Sequence, residues 1–380
     1  MSDDILSRVN AIDTDILFDV VRQDQRNPSF EITEWSVRRL SDKGMSNPDG
    51  LWLFSGHGWE GDVDRSWSVV LKIFERPEQE KSQDHPRYWK REVLLAQSGL
   101  LERLPGPVRA PRFYRTDEYP DGAWLWMEQI TDQQPGPWTL KEHSFAACQF
   151  GEWNGACLAA MPLFEKPWLA RQHYLSWLTL VDMERDWQFP LNQTHVSGEL
   201  RRRHEQLWAD REMFYKVMEA LPQAFSHFDS QRRNLFICND RTGSNHVVAV
   251  DWELCGLGPL GSELNGIVAD NAIMGEWEPA DLPELDQIAF PRYIQGLQHA
   301  GWTGDIDLVR LGYVTWRAIY YGLIFPAWTA WWCADEHESF ALQMYGLNRE
   351  ELFWKLLPLL EFCLDGSDEA RRLMEKNKSL

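Results

Sequence analysis

The residues best suited to chemistry lie in one stretch, residues 225–253, with the sequence FSHFDSQRRNLFICNDRTGSNHVVAVDWE. Two short apolar runs, residues 235–237 and 247–250, flank a polar turn that is rich in Asn, Asp and Gly. Apolar runs on both sides of such a turn are typical of a β-hairpin. The polar residues that border the two runs are therefore expected at the ends of paired strands.

Three polar side chains at these strand ends form a candidate catalytic centre. Asp229 lies in the loop before the first strand, Asn234 directly precedes that strand, and Asp251 directly follows the second. Phosphoryl transfer uses an Asp that accepts the proton of an attacking hydroxyl, and an Asn and an Asp that hold Mg²⁺ on the phosphates. We therefore predict that Asp229 is a catalytic base and that Asn234 and Asp251 bind Mg²⁺.

The sequence HFDSQRRNLFI followed by VVAVDWE resembles the catalytic loop and metal-binding segment of the aminoglycoside phosphotransferase and choline kinase family. The family pattern is H-G-D-x4-N and then an apolar strand that ends I-D-W/F-E, and Phe228 stands where Gly is usual. The resemblance implies a bilobal, protein-kinase-like α+β fold. The N-terminal lobe would be an antiparallel sheet with a helix, and the C-terminal lobe would be mainly helical.

The same resemblance implies an activity and further site residues. The expected reaction transfers the γ-phosphoryl group of ATP or GTP, with Mg²⁺, to a hydroxyl group of a small molecule. Asp229 would position and deprotonate that hydroxyl, and His227 would hold the loop by hydrogen bonding. Arg232, or Arg233 in its place, would add positive charge near the transferring phosphoryl group.

A lysine is predicted to contact the nucleotide. Residues 32–40, 51–55 and 67–74 read as three strands of an antiparallel sheet, separated by turns that contain Gly, Asp or Pro. The third strand, WSVVLKIFE, carries Lys72 among apolar neighbours. It resembles the strand lysine of the family, which contacts the α- and β-phosphates.

The next helix, predicted over residues 88–104, supplies a partner for this lysine. Glu92 near its start is the candidate for an ion pair that holds Lys72 in place, as in the kinases. Glu102 is the alternative partner, and the ordinary alternative is a solvated Glu on a charged helix.

Two glycine-containing segments are candidates for the loop that covers the phosphates. Residues 56–61 fit G-x-G-x-x-G, but no helix follows, so we interpret residues 56–66 as a hairpin turn. Residues 41–50, SDKGMSNPDG, resemble the family's G-x-x-N element. Ser46 and Asn47 are the candidate phosphate-binding residues there, through backbone N–H groups.

The adenine site is expected where an apolar strand runs into MEQI. By resemblance to the family's interlobe hinge, Met127 lies behind the adenine, and the backbone C=O of Glu128 and N–H of Ile130 bond the adenine edge. We therefore predict an N-terminal nucleotide-binding lobe over residues 1–134, with its hinge at 127–134, and a C-terminal catalytic and substrate-binding lobe over residues 135–380.

The second lobe is predicted to be mostly helical. Residues 140–161 form a long helix in which small residues permit close packing. Beyond Asp251, Leu257-Gly258-Pro259 and Glu263 resemble the family's G-D-P-x-x-D-L, with its usual acids replaced. The ordinary interpretation is a loop and a helix start at which Glu263 is favourable. The acidic run 276–286 reads as a solvated loop.

Composition limits the partners and the compartment. The net charge of -20 and pI near 4.9 argue against nucleic acid and favour a cationic acceptor. The 6 cysteines form no C-x-x-C pair and no signal peptide is recognisable, so we expect a cytoplasmic protein. Residues 313–334 carry a single charge, Arg317, and we predict a buried helix broken at Pro326 rather than a membrane span.

Two other functions compete with the kinase. A non-catalytic, kinase-like nucleotide-binding module has no physical reason to keep Lys72, Asp229, Asn234 and Asp251 together. A metal-dependent hydrolase that uses His227 and Asp229 would need further paired His ligands at metal spacing, which the sequence lacks. The acceptor stays open among aminoglycosides, macrolides, choline, amino acids and sugars, as does the choice between ATP and GTP.

Overall fold

The computed structural model of the chain describes residues 2–40, 50–240 and 242–377. It is an α+β structure, with an antiparallel sheet in the N-terminal part and a mainly helical C-terminal part, which confirms the predicted fold class. The five-stranded sheet has the order β1-β2-β3-β5-β4. Its strands are β1 (Glu31–Arg39), β2 (Leu51–Glu60), β3 (Val63–Glu75), β4 (Phe113–Tyr119) and β5 (Gly122–Glu128).

Two helices cover one face of the sheet. Helix α1 (Ser2–Asn10) and helix α2 (Thr14–Gln25) are separated at Asp13, whose side chain accepts a hydrogen bond from the Asp15 N–H and caps α2. An Asp at this position satisfies an otherwise unpaired backbone donor of the first turn. The apolar side of α2 packs on the indole rings of Trp67 and Trp126 and their neighbours, which closes a core on this face.

The β2–β3 hairpin is longer than predicted. Residues 56–60 continue β2 and residues 63–66 begin β3, so the predicted hairpin turn over residues 56–66 is wrong. Gly61, with φ 62°, is the glycine of the short connection. Gly56 allows β1 to approach closely, because a Cβ there would lie 2.0 Å from the Glu34 carbonyl oxygen. The G-x-G-x-x-G pattern thus reflects strand packing.

The other face of the sheet carries helix α3 (Arg91–Gln97). Val93 of α3 packs against Leu53, Val70 and Leu125 of the strands. The helix is shorter than predicted, because Gly99 adopts φ 60° and only a short 3₁₀ turn, Leu101–Arg103, follows. A glycine in the left-handed region is a common helix stop.

The C-terminal part is a helical body with two small sheets. Strand β6 (Gln223–Ser226) pairs with β9 (Gly256–Pro259), and β7 (Leu235–Asn239) pairs with β8 (Asn245–Ala249) as the predicted hairpin. The helices are α4 (Leu140–Ala159), α5 (Met183–Gln188), α6 (Pro190–His195), α7 (Gly198–Ala220), α8 (Asn271–Ile273), α9 (Leu282–His299), α10 (Ile306–Arg317), α11 (Phe325–Trp332), α12 (Glu338–Tyr345) and α13 (Arg349–Lys376).

Most of the apolar run at residues 313–334 is buried inside this body, whereas Trp331 near its end is exposed. It comprises the end of α10, a π-helical segment (Ala318–Gly322) and α11, and Pro326 occupies the first turn of α11, where no backbone N–H is needed. Among the described residues, no helix is both long and apolar enough to cross a membrane.

The proposed boundary between residues 134 and 135 lies in the segment that joins the sheet to the helices. Strand β5 ends at Glu128, and α4 begins at Leu140 behind a capping box made by Thr139 and Glu142. The division into two lobes at this point stays a proposal.

Candidate active site

The predicted catalytic loop, residues 227–234, runs from β6 to β7 and is held by a buried histidine. The Nδ1 of His227 accepts a hydrogen bond of 3.2 Å from the Asp229 N–H. Its Nε2 therefore carries the proton and donates to the Val250 carbonyl oxygen at 3.0 Å. Burial lowers the pKa of His227 to about 4, so the ring is neutral. It ties the loop to the end of β8, next to Asp251.

Asn234 and Asp229 lie in direct contact. The Asn234 Nδ2 donates to the Asp229 Oδ2 at 2.6 Å and to the Asp229 carbonyl oxygen at 3.0 Å. These bonds occupy the amide N–H groups and turn the amide oxygen of Asn234 the other way. Burial raises the pKa of Asp229 well above its usual value, and the carboxylates of Asp251, Asp270 and Glu253 add to this effect. Asp229 is therefore a stronger base than a free aspartate.

Asp251 and Lys72 join the two parts of the molecule. Lys72, three residues before the end of β3, donates from Nζ to the Asp251 Oδ1 at 2.5 Å and to the Glu92 Oε2 at 2.6 Å. Burial alone would lower the pKa of Lys72, but the carboxylates of Asp251, Glu92 and Glu253 outweigh it and raise the pKa well above its usual value. Lys72 is charged, and it pairs with Glu92. Glu102 is exposed on the turn that follows α3.

Strained backbone marks this site. Of the described non-glycine residues, Arg26, Gln172, Phe228 and Asp251 adopt positive φ. Phe228, with φ 63°, directly precedes Asp229, and Asp251, with φ 64°, is itself a candidate metal ligand. Such a conformation costs roughly 1–2 kcal/mol for a residue with a Cβ and persists only where the surroundings enforce it. The usual Gly of the family motif avoids this cost at the position of Phe228.

Aromatic stacking offsets the strain at Phe228. Its ring lies nearly parallel to the rings of Trp316 and His173, with centroids 4.7 Å and 5.0 Å away. Gly258 leaves room for the ring, since a Cβ at that position would lie 2.6 Å from it. Phe228 therefore fills space that a side chain at residue 258 would need.

A second buried carboxylate holds the same loop. The Oε2 of Glu263 accepts a hydrogen bond of 2.5 Å from the His227 N–H and a longer one, 3.5 Å, from the Phe228 N–H. Burial raises the pKa of Glu263 to about 7. Glu263 thus binds the predicted catalytic loop, which is a role that the sequence did not suggest. The sequence suggested only a favourable charge at a helix start.

Arg232 lies in the segment that joins the two parts. Its guanidinium donates to the carbonyl oxygens of Gly136, Gln134 and Leu235 and to the Asp132 carboxylate. This placement favours a structural role for Arg232 over the catalytic role predicted from the sequence. Arg233 lines a large cavity beside Asp229 and Asn234, but it donates to the Glu276 carboxylate at 2.9 Å.

The predicted nucleotide-binding residues are distributed as follows. Met127 is buried in β5 opposite Val70 of β3. Glu128 ends β5, and its carboxylate binds the Arg112 backbone and guanidinium. Ile130 lies in the segment directly beyond, whereas Ser46 and Asn47 lie outside the described residues. The adenine-binding and phosphate-binding roles of these residues stay predictions.

The donor set fits Mg²⁺. Asp251, Asn234 and Asp229 supply carboxylate and amide oxygens, which are the hard ligands that Mg²⁺ prefers. In the described part of the chain, no group of three or more His, Cys, Asp or Glu side chains is arranged to hold a metal. A site with one or two carboxylates is usual for Mg²⁺, since substrate phosphates and water complete its coordination.

A large cavity opens from the carboxylates into the helical part. Its volume is about 1700 Å³, and Asp229, Asn234 and Asp251 are among the residues that line it. Aromatic side chains of its lining include Trp89, Trp177, Tyr320, Trp328, Trp331 and Trp332. Acidic side chains of its lining include Asp182, Glu184, Glu253, Asp270, Asp335 and Glu336.

Sequence patterns do not single out Asp270 or Arg91. Asp270 ends a π-helical segment (Gly266–Asp270), and burial raises its pKa to about 8. Such segments are frequent at functional sites, but no local residue pattern announces them. Arg91 occupies a charged helix turn, WKRE, that reads as solvated, yet its side chain is 0% exposed.

Known proteins share both sequence and structural features with this chain. Residues 56–300 match the sequence profile of the phosphotransferase enzyme family. No curated protein sequence matches the chain. Among the solved structures that resemble the chain at low identity is a microcompartment-associated aminopropanol kinase. It is 14% identical with a TM-score of 0.47, and the match covers 95% of this chain and 100% of the kinase chain.

Two further structures are similarly distant. A choline kinase from Cryptosporidium parvum Iowa II is 13% identical with a TM-score of 0.48, covering 96% of this chain and 97% of its own. A spectinomycin phosphotransferase, in complex with ADP and spectinomycin, is 11% identical with a TM-score of 0.47, covering 93% of this chain and 98% of its own.

Proposed function

The chain belongs to the phosphotransferase enzyme family, and we propose that it transfers the γ-phosphoryl group of ATP or GTP to a hydroxyl group of a small molecule. One observation carries this proposal. Lys72, Glu92 and Asp251 form a connected set of ion pairs, and Asp251 lines the same cavity as the hydrogen-bonded Asp229 and Asn234. Kinase chemistry requires this lysine, this glutamate and these metal ligands together.

The proposed reaction is a direct transfer. The acceptor oxygen forms a bond to the γ-phosphorus. At the same time the bond from that phosphorus to the β–γ bridging oxygen breaks, and ADP or GDP leaves. Asp229 receives the hydroxyl proton. Asn234 orients Asp229 through its amide, and Lys72 balances the charge of the nucleotide phosphates. Asn234 and Asp251 would hold Mg²⁺, which supplies positive charge to the phosphates when bound.

The cavity supports a sizeable acceptor. About 1700 Å³ exceeds the volume of about 300 to 1,000 Å³ that ordinary ligand pockets have. The tryptophans of the lining suit an apolar or ring-shaped body, and the acidic side chains suit a cationic group. The acceptor is accordingly sought among aminoglycosides, macrolides, amino alcohols and sugars.

All 6 cysteines are free, which supports the proposal that the protein works in the reducing cytoplasm.

Replacement of the base tests the proposal directly. Asp229→Ala is expected to lower turnover at least about 100-fold, because the hydroxyl loses its proton acceptor. Turnover is measured as release of ADP from Mg-ATP or of GDP from Mg-GTP over a panel of these acceptors, and nucleotide binding is measured by calorimetry. Asp62→Ala, at an exposed position in the β2–β3 connection, is the control.

The two measurements separate the competing functions. Lost turnover with retained nucleotide binding supports the kinase. Wild-type turnover in Asp229→Ala would remove Asp229 as the base. Nucleotide binding without turnover in the wild type over the whole panel would favour a non-catalytic binding module.

A further inference from the structure

The arginine before Glu92 makes an unusual set of contacts. Arg91 is 0% exposed, and each N–H of its guanidinium donates to a backbone carbonyl oxygen. An arginine has five such donors, so its hydrogen-bonding capacity is used completely. The acceptors are the carbonyl oxygens of Gln83, His85, Pro86, Trp168 and Glu253, at 3.3, 2.5, 2.6, 2.8 and 2.8 Å.

These acceptors belong to three separate parts of the chain. Gln83, His85 and Pro86 lie in the loop that leads into α3, and Trp168 lies in the helical part after α4. Glu253 is two residues beyond Asp251. A single side chain on α3 thus connects the N-terminal sheet region with the helical part and with the segment that carries Asp251.

Glu92 binds the same segment as a hydrogen-bond acceptor, whereas Arg91 binds it as a donor. Its Oε1 accepts a hydrogen bond of 3.2 Å from the Trp252 N–H, while Arg91 donates to the Glu253 carbonyl oxygen at 2.8 Å. The Oε2 of Glu92 accepts from Lys72, which donates to Asp251 as well. The contacts close a ring from Asp251 along its own backbone to Arg91 and Glu92, and back through Lys72 to Asp251.

We propose that Arg91 is a positioning residue that keeps α3 and the strained Asp251 in the arrangement required for phosphoryl transfer. The inference rests on the proposed function for its catalytic consequence. Asp251 has φ 64°, a conformation that persists only where neighbouring contacts enforce it. Glu92 accepts a hydrogen bond from the N–H of the first peptide group after Asp251, and Arg91 donates to the carbonyl oxygen of the third. Together these contacts fix the segment and thereby set the direction of the Asp251 carboxylate.

Two substitutions at Arg91 separate the donors from the charge. Arg91→Met keeps the length of the side chain and removes every donor. Arg91→Lys keeps a cation with at most three donors, so it can reach only some of the carbonyl oxygens. Arg310→Met is the matched control, because Arg310 makes four hydrogen bonds, to Asp286 and Glu369, among the C-terminal helices away from the site.

Three measurements are made below the unfolding temperature of every variant. Turnover of Mg-ATP and Mg-GTP is followed as a function of Mg²⁺ concentration. Nucleotide affinity is measured without Mg²⁺. Amide exchange of peptides that cover residues 91–97 and 251–255 is followed by mass spectrometry and compared with the global stability of each variant.

The proposal expects a specific loss in Arg91→Met. Turnover falls by roughly 10- to 100-fold, as for other residues that orient metal ligands, and the Mg²⁺ concentration for half-maximal turnover rises. Metal-free nucleotide affinity changes far less. Exchange at residues 251–255 increases beyond the change in global stability. Arg91→Lys lies between wild type and Arg91→Met, and it serves as the test variant if Arg91→Met does not fold.

Other outcomes overturn the proposal. Equal turnover and equal exchange at residues 251–255 in the Arg91 variants and in Arg310→Met would leave Arg91 without a special role. A wild-type protein without turnover counts against the proposed kinase function instead. The exchange comparison then still decides whether Arg91 holds the Asp251 segment.

Discussion

At the scale of single residues, the catalytic loop is held by contacts that differ from its family motif. Phe228, in a backbone conformation that disfavours a side chain, stands where the motif usually has Gly, and Gly258 of β9 stands where it usually has Asp. The ring of Phe228 occupies the space next to Gly258 and stacks on Trp316. We interpret these departures as a coupled pair, because the ring of Phe228 fills the space that an Asp side chain at position 258 would otherwise occupy.

A double-mutant cycle tests this coupling. Gly258→Ala alone is expected to destabilise the fold by about 1–3 kcal/mol, because its Cβ would overlap the Phe228 ring. In a Phe228→Gly background the same substitution is expected to cost much less. Urea unfolding of the wild type, both single variants and the double variant measures the coupling. An equal cost in both backgrounds would contradict it.

The buried Glu263 predicts a pH dependence of stability. Its pKa is raised from 4.5 to about 7 in the folded protein. Between these two pH values Glu263 is therefore protonated in the folded protein and ionised in the unfolded chain. The stabilisation that this residue contributes is therefore complete below pH 4.5 and lost as the pH rises through 7. Glu263→Gln is expected to flatten this dependence and to stabilise the protein at alkaline pH by up to about 3 kcal/mol.

The measurement is the free energy of unfolding in urea at mildly acidic and alkaline pH. Glu102→Gln, at an exposed position, is the control and is expected to follow the wild type. A wild-type difference between the two pH values that Glu263→Gln leaves unchanged would rule out Glu263 as its source.

At the scale of elements, the helical part depends on a close crossing of α4 and α9. Two glycines lie at the contact, each against the backbone of the other helix. A Cβ at Gly151 would lie 2.0 Å from the Tyr293 carbonyl oxygen, and one at Gly296 would lie 2.0 Å from the Cys148 carbonyl oxygen. The small residues noted in the sequence of α4 therefore have the predicted packing role, and they place α4 beneath the catalytic loop, where Asn154 binds the Phe225 carbonyl oxygen.

A glycine substitution at this crossing tests the packing. Gly296→Ala is expected to destabilise the fold by at least about 1–3 kcal/mol, since the added methyl group meets backbone that cannot rotate away. Gly198→Ala is the control, because nothing lies within 4 Å of its Cβ at the first position of α7. Thermal unfolding compares the two. Equal midpoints would show that the helices separate at little cost.

At the scale of the whole molecule, the site is assembled from both parts of the structure. Lys72 and Glu92 come from the sheet and the helix beside it, whereas Asp229 and Asn234 come from the segment between β6 and β7, and Asp251 follows β8 in the helical part. A nucleotide with Mg²⁺ that contacts both groups would bind the folded protein only. Such binding stabilises the folded state by about 2.7 kcal/mol when the ligand concentration is 100 times its Kd.

Thermal shift with Mg-ATP and Mg-GTP tests this assembly. At least one of the nucleotides is expected to raise the unfolding temperature of the wild type. Asp251→Asn is expected to lose most of the Mg²⁺-dependent part of this shift, because a charged metal ligand becomes neutral. Asp62→Asn, with the same change at an exposed position, is expected to keep it. A full shift in Asp251→Asn would argue against Asp251 as a metal ligand.

Short-range patterns in the sequence predicted the elements and motifs that depend on neighbouring residues. The β7–β8 hairpin follows from two apolar runs and the turn residues between them, and the fold class follows from the resemblance of the catalytic-loop motif to a known family. The candidate residues of the catalytic loop were recognisable because they are separated by a few positions in one contiguous motif. Strand and helix lengths were less predictable, because Gly56 and Gly99 act through backbone contact and conformation.

Contacts between residues far apart in the chain could be identified only from the folded structure. Lys72 and Asp251 are 179 positions apart, and Arg91 and Glu253 are 162 apart. Nothing in the local pattern distinguishes a buried Arg91 from a solvated one, or an Arg232 that binds the linker from one that faces phosphate. These roles depend on which surfaces pack together, and the burial of apolar side chains on both sides of the site determines that packing.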